Sequence, residues 1–380
     1  MSDTHPRVRP LAVLRAMIDS LDHEILQLLA RRMGVVAEIA AWKRSHASRI
    51  RDVARERALL DDRRARAEEL GLLPNVVESI YRLVLLASRE HQAALRTEVP
   101  LDLEPRTVAV IGGLGGMGAL MARLFSDLGH TVLIADVGTE LSNAQAAEAA
   151  DVVVVSVPID KTLEVIRAVG PYVRPDGLLM DVTSLKAEPM AAMLEATTAS
   201  VIGTHPMFGP GVHTLQGQRF VLCEGRGADW TRWLRRMLHA RGLVVTESTP
   251  GAHDQAMAAV QVLTHYKTQV TALALARLGV PLDETLRFTS PAYLIDLYVE
   301  GRHFAQSPEL YGAIEMGNPR TDDVTRIFGD AAREVAATLA ANDKAAFRAM
   351  FEEVRAYFGP FTETALEQSS FLIDRLVERS

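Results

Sequence analysis

The sequence has one cysteine, no long apolar run and no excess of basic residues, and each absence excludes a class of protein. Because Cys223 is the only cysteine, the chain cannot form an internal disulfide or a cysteine-rich metal site, and we expect no metal. No apolar run approaches the length of a membrane span, and the first ten residues lack the apolar core of a signal peptide. These features predict a protein of the reducing cytoplasm that does not contact a membrane.

The charge balance argues against nucleic acid as a partner. The net charge is -7 and the isoelectric point is about 5.9, whereas nucleic-acid-binding domains are typically basic. Hydrophobic residues make up 48% and charged residues 23% of the chain, as in ordinary globular proteins. A length of 380 residues is enough for two or three domains, each with its own core.

The N-terminal region has the apolar periodicity of helices. From Leu11 onward, apolar residues recur every three or four positions without an interrupting proline, which predicts one long helix. A second helix is predicted over 52–70, and a third from near Pro74, a residue favoured in a first turn, to about Arg96. Residues 97–106 contain two prolines and no periodicity, which indicates a linker.

At Thr107 the pattern changes to alternating strands and helices. This alternation predicts a mostly parallel sheet with helices on both faces, and the chain beyond Pro250 is predicted to be helical almost to its end. Five strands are predicted clearly, over 107–112, 131–136, 151–158, 177–184 and 200–205, and two weakly, over 219–225 and 242–249.

A glycine loop follows the first of these strands and opens a helix. Gly113, Gly115 and Gly118 have the G-x-G-x-x-G spacing that lets the backbone approach a pyrophosphate at a helix N-terminus. Asp136 ends the next strand, where it can accept a hydrogen bond from an adenosine ribose, and no arginine follows it closely, which favours NAD over NADP. Met117 lies within the loop and completes the predicted cofactor-binding set. The alternative is a phosphate-binding loop without redox chemistry.

Two cations lie on the apolar stripe of the first helix. Arg32 and Lys43 are eleven residues apart, and hence roughly 20° apart around a helix that turns about 100° per residue. A buried, unpaired cation costs several kcal/mol, so these positions predict an anionic ligand or a carboxylate partner. Arg15 lies about 100° off this stripe, so we expect it to serve another pocket.

The second and third helices carry polar residues at matching spacings. Asp52, Arg55 and Glu56 share one helix face, and Ser88 and Gln92 end the apolar stripe of the third helix. Together with the two cations, they predict a polar pocket inside a helical bundle. An ordinary salt-bridged helix surface is the alternative interpretation.

The stretch "GTHPMFGPG" holds a histidine at the end of a strand. His205 follows "SVIGT", and the Gly/Pro-rich residues after it leave the backbone little freedom. An imidazole at the carboxyl edge of a parallel sheet is placed for acid–base chemistry on a bound ligand. The alternative is a histidine that is simply hydrogen-bonded within a tight turn.

Residues 11–92 resemble the all-helical chorismate mutase family, whose members are intertwined homodimers. By this resemblance, Arg32 and Arg55 bind the two carboxylates of chorismate, together with an Arg15 that the partner chain contributes. Lys43 and Gln92 would hydrogen-bond the ether oxygen whose bond breaks, the two acids would meet the ring hydroxyl, and Ser88 would assist at a carboxylate. The family's pattern is read here at Arg15, Arg32, Lys43, Asp52, Arg55, Glu56, Ser88 and Gln92.

Residues 107–380 resemble prephenate dehydrogenase through the glycine loop, "VSVPI", "DVTSLK", "THPMFGP", "HDQAM" and "EGRHFAQ". The resemblance implies that His205 removes the ring hydroxyl proton of prephenate while hydride passes to NAD. It also implies that Arg302 binds a substrate carboxylate and that Ser184 and Lys186 lie beside the hydroxyl or the nicotinamide. His265 matches a family histidine linked to substrate or tyrosine binding, and His253 and Asp254 are interpreted as structural or interdomain residues.

The order of the two regions resembles the bifunctional chorismate mutase–prephenate dehydrogenase family, the T-proteins. A homodimer with small-molecule substrates is therefore expected. The predicted domains are an all-helical mutase domain (1–96), a linker (97–106), an NAD-binding Rossmann domain (107–250) and an all-α dimerisation and substrate domain (251–380).

Tyrosine feedback, if present, would act within the dehydrogenase region, because no separate regulatory domain is seen. Thr264 occupies a position where a basic residue is expected in such relatives, which weakens that expectation. Three alternatives remain: the same reactions on 4-amino-4-deoxychorismate and its prephenate analogue, a dehydrogenase whose N-terminal bundle only dimerises, and a non-catalytic NAD-sensing regulator.

Overall fold

The computed structural model describes residues 9–46, 50–95 and 104–377, so most of the predicted linker lies outside the described residues. The chain divides into two compact units. The first comprises residues 1–157, 166–182 and 193–247, and the second comprises 158–165, 183–192 and 248–380.

Three helices open the first unit, as predicted. They are α1 (Leu11–Ser45), α2 (Val53–Glu69) and α3 (Pro74–Ala94). The side chain of Asp52 caps α2 by accepting from the backbone N–H of Arg55 at 2.9 Å, and Pro74 occupies the first turn of α3.

The apolar stripe of α1 predicted the helix correctly but not its burial. Leu11, Ile18 and Ile25 are 61%, 57% and 53% exposed, and only Val36 and Ala40 of α1 are buried. The N-terminal two thirds of the stripe is therefore not buried against a core formed by the described residues.

A seven-stranded sheet forms the centre of the first unit, in the order β2-β1-β3-β4-β5-β6-β7. All neighbouring strands are parallel except β5 and β6, which confirms the predicted doubly wound sheet. The strands are β1 (Thr107–Ile111), β2 (Thr131–Ala135), β3 (Val152–Val155), β4 (Leu178–Asp181), β5 (Ser200–Pro206), β6 (Arg219–Arg226) and β7 (Val244–Glu247). The helices along this part of the chain are α4 (Gly116–Asp127), α5 (Asn143–Ala149), α6 (Ile159–Val169), α7 (Ala187–Ala196) and α8 (Ala228–Ala240).

The strand order reverses at β1, which places a crevice at the carboxyl ends of β1 and β3. β1 pairs with β2 on one side and with β3 on the other, so the helices that follow β1 and β3 pack on opposite faces. Val108, Val110, Val152 and Val154 are completely buried, as expected for central parallel strands. The sheet is thus a rigid platform for the loops at its carboxyl edge.

The second unit is helical from Pro250 onward, as predicted. Its helices are α9 (Pro250–Met257), α10 (Thr264–Leu278), α11 (Leu282–Arg287), α12 (Pro291–Phe304), α13 (Pro308–Gly317), α14 (Thr321–Ala340), α15 (Lys344–Phe358) and α16 (Phe361–Val377). A π-helical segment, Ala258–Leu263, joins α9 to α10 without a break. Within the described ranges, no helix has the length and apolar character needed to cross a bilayer.

Candidate active sites

Helices α1 and α3 bring together three of the residues predicted for the first site. Arg32 Nη1 donates to Ser88 Oγ at 2.5 Å, and Gln92 Nε2 donates to the backbone oxygen of Ser88 at 3.2 Å. Ser88 and Gln92 are 5% and 7% exposed, whereas polar side chains at a helix surface would be largely solvated. These contacts favour a polar pocket over a salt-bridged surface.

Other residues predicted for this pocket have different partners. Lys43 Nζ donates to the backbone oxygen of Ile50 at 2.5 Å. Glu56 Oε1 accepts from Arg89 Nη1 at 2.6 Å, and Glu56 Oε2 accepts from Arg51 at 3.3 Å. The Arg89–Glu56 pair links α3 to α2 across 33 positions, a separation at which no local sequence pattern could have indicated it.

The two remaining arginines of the predicted set lie at the surface of the single chain. Arg15 and Arg55 are exposed. The Asp52 side chain caps α2 through the backbone N–H of Arg55, so Asp52 is held at the start of that helix.

The glycine loop contains the close backbone packing that a dinucleotide site requires. A Cβ on Gly118 would overlap the carbonyl oxygen of Gly112, and one on Gly113 would lie 2.7 Å from Ile134 Cγ2. Gly112, absent from the predicted set, has a φ of +81°, and a Cβ there would overlap the backbone of Ser156 after β3. Gly115 differs, because its Cβ would meet nothing nearer than the Gly112 oxygen at 3.4 Å.

Polar groups converge on the open side of this loop. Gly115 is the N-cap of α4, whose first N–H groups have no acceptor within the helix. Asp136 Oδ2 accepts from Leu114 N at 2.8 Å, so its carboxylate lies against the loop at the end of β2. Met117 packs its side chain against the hydrophobic core, and its backbone N–H belongs to the first turn of α4, where N–H groups have no acceptor within the helix. The loop therefore fits a pyrophosphate at the helix N-terminus and a ribose at Asp136.

His205 is held at the carboxyl edge of the sheet. It is 3% exposed, and its strand pairs with β6 so that His205 lies opposite Val221. The adjacent Thr204 donates its N–H to Asp181 Oδ1 at 3.2 Å, and its hydroxyl donates to the Asp181 carbonyl. Asp181 is fully buried at the end of β4 and fixes the end of β5. The "DVTS" motif contained this residue, but no sequence spacing showed its partner.

The second unit orders the segment that contains Ser184 and Lys186. Thr183 Oγ1 donates to the Leu185 carbonyl at 2.8 Å, and Lys186 Nζ approaches Thr183 Oγ1 at 3.3 Å. Lys186 is fully buried, and Ser184 is half-buried. The backbone N–H groups of Lys186 and Ala187 both donate to the Asp254 carboxylate, at 2.9 Å each.

Asp254 is ionised in this environment. Burial raises its pKa, but hydrogen bonds from His253 and from the backbone N–H groups of Ala187 and Lys186 outweigh that effect and hold the pKa below its ordinary value.

A polar cluster surrounds His265, formed by α10, α12 and α13. His265 packs edge-on against Tyr311 with 4.8 Å between ring centroids, and Tyr311 stacks on His303 at 3.8 Å. Gln269 Nε2 donates to Glu315 Oε1 at 2.8 Å and lies 3.2 Å from His303 Nε2. His303 is 7% exposed, so its ring is part of the packed cluster.

Burial sets the charge states within this cluster. It lowers the pKa of His265 to about 4, with a smaller contribution from His303, so the imidazole is neutral at pH 7. Burial likewise raises the pKa of Glu315, which the hydrogen bond from Gln269 partly offsets. His265 Nδ1 and Glu315 Oε1 lie 3.7 Å apart and do not form a charged pair at neutral pH, because the imidazole is neutral. Arg302 is exposed, and its charge partly offsets the burial that raises the pKa of Tyr311.

Three protein-family models match successive parts of the chain. They are Chorismate mutase type II at residues 14–93, Prephenate dehydrogenase, nucleotide-binding domain, at 119–247, and Prephenate dehydrogenase, dimerization domain, at 249–353. The match to the nucleotide-binding model begins just after the glycine loop, so the geometry of that loop is an independent observation.

Two curated relatives match nearly the whole chain. The T-protein of Haemophilus influenzae is 34% identical over 364 residues, which cover 95% of this chain and 96% of the relative. The T-protein of Enterobacter agglomerans is 35% identical over 368 residues, which cover 96% and 98%. Among solved structures, a prephenate dehydrogenase from A. aeolicus in complex with hydroxyphenyl propionate and NAD+ has the same fold, with a TM-score of 0.56 and 16% identity over 67% of this chain and 98% of that one.

Proposed function

Because this chain belongs to the family of bifunctional chorismate mutase–prephenate dehydrogenases, we propose that its two reactions occur at separate sites, one within 1–96 and one within 107–380. The enzyme rearranges chorismate to prephenate and then converts prephenate to 4-hydroxyphenylpyruvate with NAD, in tyrosine biosynthesis. The contact of Arg32, Ser88 and Gln92 in the helical bundle best supports a catalytic mutase site there, rather than a bundle that only dimerises.

At the mutase site, binding and orientation supply the catalysis. Arg32 and Arg55, with the Arg15 of a second copy, bind the two carboxylates of chorismate and select a chair-like conformer. Lys43 and Gln92 donate to the ether oxygen as its bond to carbon breaks and negative charge develops there. The rearrangement is pericyclic, so no nucleophile is needed. Asp52 and Glu56 bind the ring hydroxyl, and Ser88 supports a carboxylate through Arg32.

The exposed stripe of α1 supports the homodimer that this assignment requires. A run of exposed leucines and isoleucines along several helical turns is costly in water, and a second copy of α1 would bury it. Arg15 lies in this exposed part of α1, where it can enter the partner's pocket. A dimerisation domain is also matched at 249–353.

For the dehydrogenase, the glycine loop binds the pyrophosphate of NAD and Asp136 binds the adenosine ribose. When bound there, NAD would supply the acceptor for the hydride that leaves the ring carbon bearing the hydroxyl group. His205 accepts the hydroxyl proton as the carbonyl forms, and the ring carboxylate leaves as CO2. The electron pair of the broken bond makes the ring aromatic and leaves a phenolate oxygen, which takes a proton back to give the hydroxyl of 4-hydroxyphenylpyruvate. Arg302 binds the side-chain carboxylate, while Ser184 and Lys186 orient the hydroxyl and the nicotinamide.

We propose that the His265 cluster binds the ring and side chain of prephenate. We also propose that it binds tyrosine as a feedback inhibitor. The stacked Tyr311 and His303 offer an aromatic surface, and the neutral His265 can hydrogen-bond without the cost of a buried charge. Tyrosine added to the prephenate reaction is expected to slow NADH formation competitively. We place the enzyme in the cytoplasm, because a chain with Cys223 as its single cysteine has no internal disulfide to form in an oxidising compartment.

The whole assignment is tested by giving the purified protein chorismate and NAD, with 4-amino-4-deoxychorismate in a parallel reaction. NADH formation from chorismate without added prephenate is expected, because the first site supplies the substrate of the second. If NADH formed only when prephenate was added, the bundle would not be a mutase. If NADH formed only from 4-amino-4-deoxychorismate, the assignment of chorismate and prephenate as the substrates would be wrong.

Two alanine substitutions in the glycine loop should have different effects. Gly115→Ala is expected to fold normally and to weaken NAD binding at least tenfold, because its methyl group occupies the open side of the loop. Gly118→Ala is expected to lower the melting temperature of the dehydrogenase region, because its methyl group overlaps the Gly112 carbonyl. Thermal unfolding and NAD titration followed by tryptophan fluorescence measure both effects, with mutase activity as an internal control. Unchanged NAD affinity in Gly115→Ala would contradict the assigned pyrophosphate position.

A further inference from the structure

Asp254 holds the start of a helix that lies far from it in the sequence. Its Oδ1 accepts from the N–H of Lys186 and its Oδ2 from the N–H of Ala187, so the two carboxylate oxygens bind the residue before α7 and the first residue of α7. Helix α7 thereby receives its N-terminal cap from a residue 67 positions away. Such a cap fixes where the helix begins as well as stabilising it.

Asp254 is itself fixed by its neighbours. His253 Nδ1 lies 2.8 Å from Asp254 Oδ1, and Asn318 Nδ2 donates to the Asp254 carbonyl at 3.0 Å. His253, Asp254 and Asn318 are 2%, 3% and 4% exposed. A buried carboxylate with these partners has one stable orientation. The backbone that donates to it is therefore held in one position as well.

The segment is also held from its other side. Leu185 packs so closely on Gly317, at the end of α13, that a Cβ on Gly317 would lie 2.5 Å from Leu185 Cδ1. Thr183 closes a tight turn onto the Leu185 carbonyl. Ser184 therefore lies between a closed turn, a packed leucine and a capped helix end.

We propose that Asp254 is a positioning residue for the dehydrogenase reaction, which sets the place of Ser184 and Lys186 by capping α7. The proposal rests on the function assigned above to Ser184 and Lys186. Asp254 does not touch the substrate in this scheme. Its carboxylate is required because two N–H donors need two acceptor oxygens, and an amide supplies only one.

Asp254→Asn tests the proposal with little change of shape. The amide NH2 would face a backbone N–H, so the segment should shift while the fold is kept. We expect kcat for NADH formation from prephenate to fall at least tenfold, with NAD affinity and mutase activity changed less than twofold. Retention of kcat within threefold of the wild type would overturn the proposal.

Asp343→Ala is the matched control for losing a helix cap. Asp343 accepts from the N–H groups of Ala345 and Ala346 at the start of α15, in the same unit. If capping mattered only for stability, both variants would have lower melting temperatures and unchanged kcat. A fall in kcat for Asp254→Asn alone separates positioning from stability, and an equal fall in both variants would overturn the proposal.

A second variant perturbs the segment of Ser184 and Lys186 through Leu185 and not through Asp254. Gly317→Ala pushes on Leu185 without touching Asp254, and the proposal expects it to lower kcat as well, again with unchanged NAD affinity. If Asp254→Asn does not fold, Gly317→Ala still tests the proposal. A wild-type kcat in Gly317→Ala would then overturn the proposal. If the wild-type enzyme formed no NADH from prephenate, the assigned dehydrogenase function would be refuted. This result differs from a failure of the positioning proposal, in which the wild type is active and the variants are as active as the wild type.

Discussion

Replacing His205 with asparagine is expected to reduce NADH formation from prephenate by a factor of about 10² to 10⁴, the usual contribution of a general base. Asparagine keeps a hydrogen-bonding side chain of similar length but cannot accept a proton near neutral pH. His205 is buried on a strand whose end is fixed by Asp181 and by pairing with β6, so the backbone should not move in the variant. NADH absorbance with prephenate and NAD, at saturating concentrations of each, measures the effect.

Two controls accompany this variant. Mutase activity should be unchanged, because every residue assigned to the mutase site lies on or beside α1 to α3 and none lies on the strand of His205. His213→Asn removes an exposed imidazole further along the same stretch of chain, and it should change turnover less than twofold. If His205→Asn kept more than a tenth of wild-type turnover, another group would have to be the base.

Replacing Lys43 with alanine is expected to lower chorismate mutase turnover by about 10² to 10³, the range found when one donor to a developing negative charge is removed. In the pericyclic step no group is transferred to the protein, so the loss of one positive charge at the ether oxygen removes much of the catalysis. Loss of chorismate absorbance measures the rate. Dehydrogenase turnover with added prephenate should remain at the wild-type level.

Arg44→Ala is the matched control for Lys43→Ala. Arg44 is the next residue of α1 and is exposed, so its removal lowers the charge of the same helix end without affecting the pocket. Comparable losses of mutase turnover in both variants would show that general electrostatics, and not a contact at the ether oxygen, explains the effect. Loss of both activities in Lys43→Ala would show that the two sites cannot be separated.

Elements with a clear periodicity could be predicted from the sequence, and so could the chemistry of motifs that are continuous in it. The 3–4 spacing from Leu11 gave α1, and the glycine spacing with Asp136 indicated a dinucleotide site whose close packing is seen at Gly118. Burial was harder to predict. The α1 stripe is exposed in the single chain, because an apolar pattern shows that a face must be covered but does not identify what covers it.

Residues that act through tertiary contacts were missed for a different physical reason. Arg89, Asp181 and Tyr311 each meet their partners across a large sequence separation, through side chains that no local pattern relates. Lys186 was recognised by its motif, but its complete burial was not, since lysine is rarely buried and only the surrounding fold provides its partners.

The π-helical segment at 258–263 lets one continuous helix carry both the capping residue Asp254 and the aromatic cluster around His265. Asp254 and His265 are eleven residues apart, so a regular α-helix would point them within roughly 20° of each other. The wider turn rotates everything after it by up to about 100°, the angle of one residue, so the capping carboxylate and the aromatic cluster can face different neighbours. A single-codon insertion or deletion in this segment would thus redirect His265 without replacing any side chain. The gain or loss of one residue here would therefore change the surroundings of His265 while leaving the Asp254 cap in place.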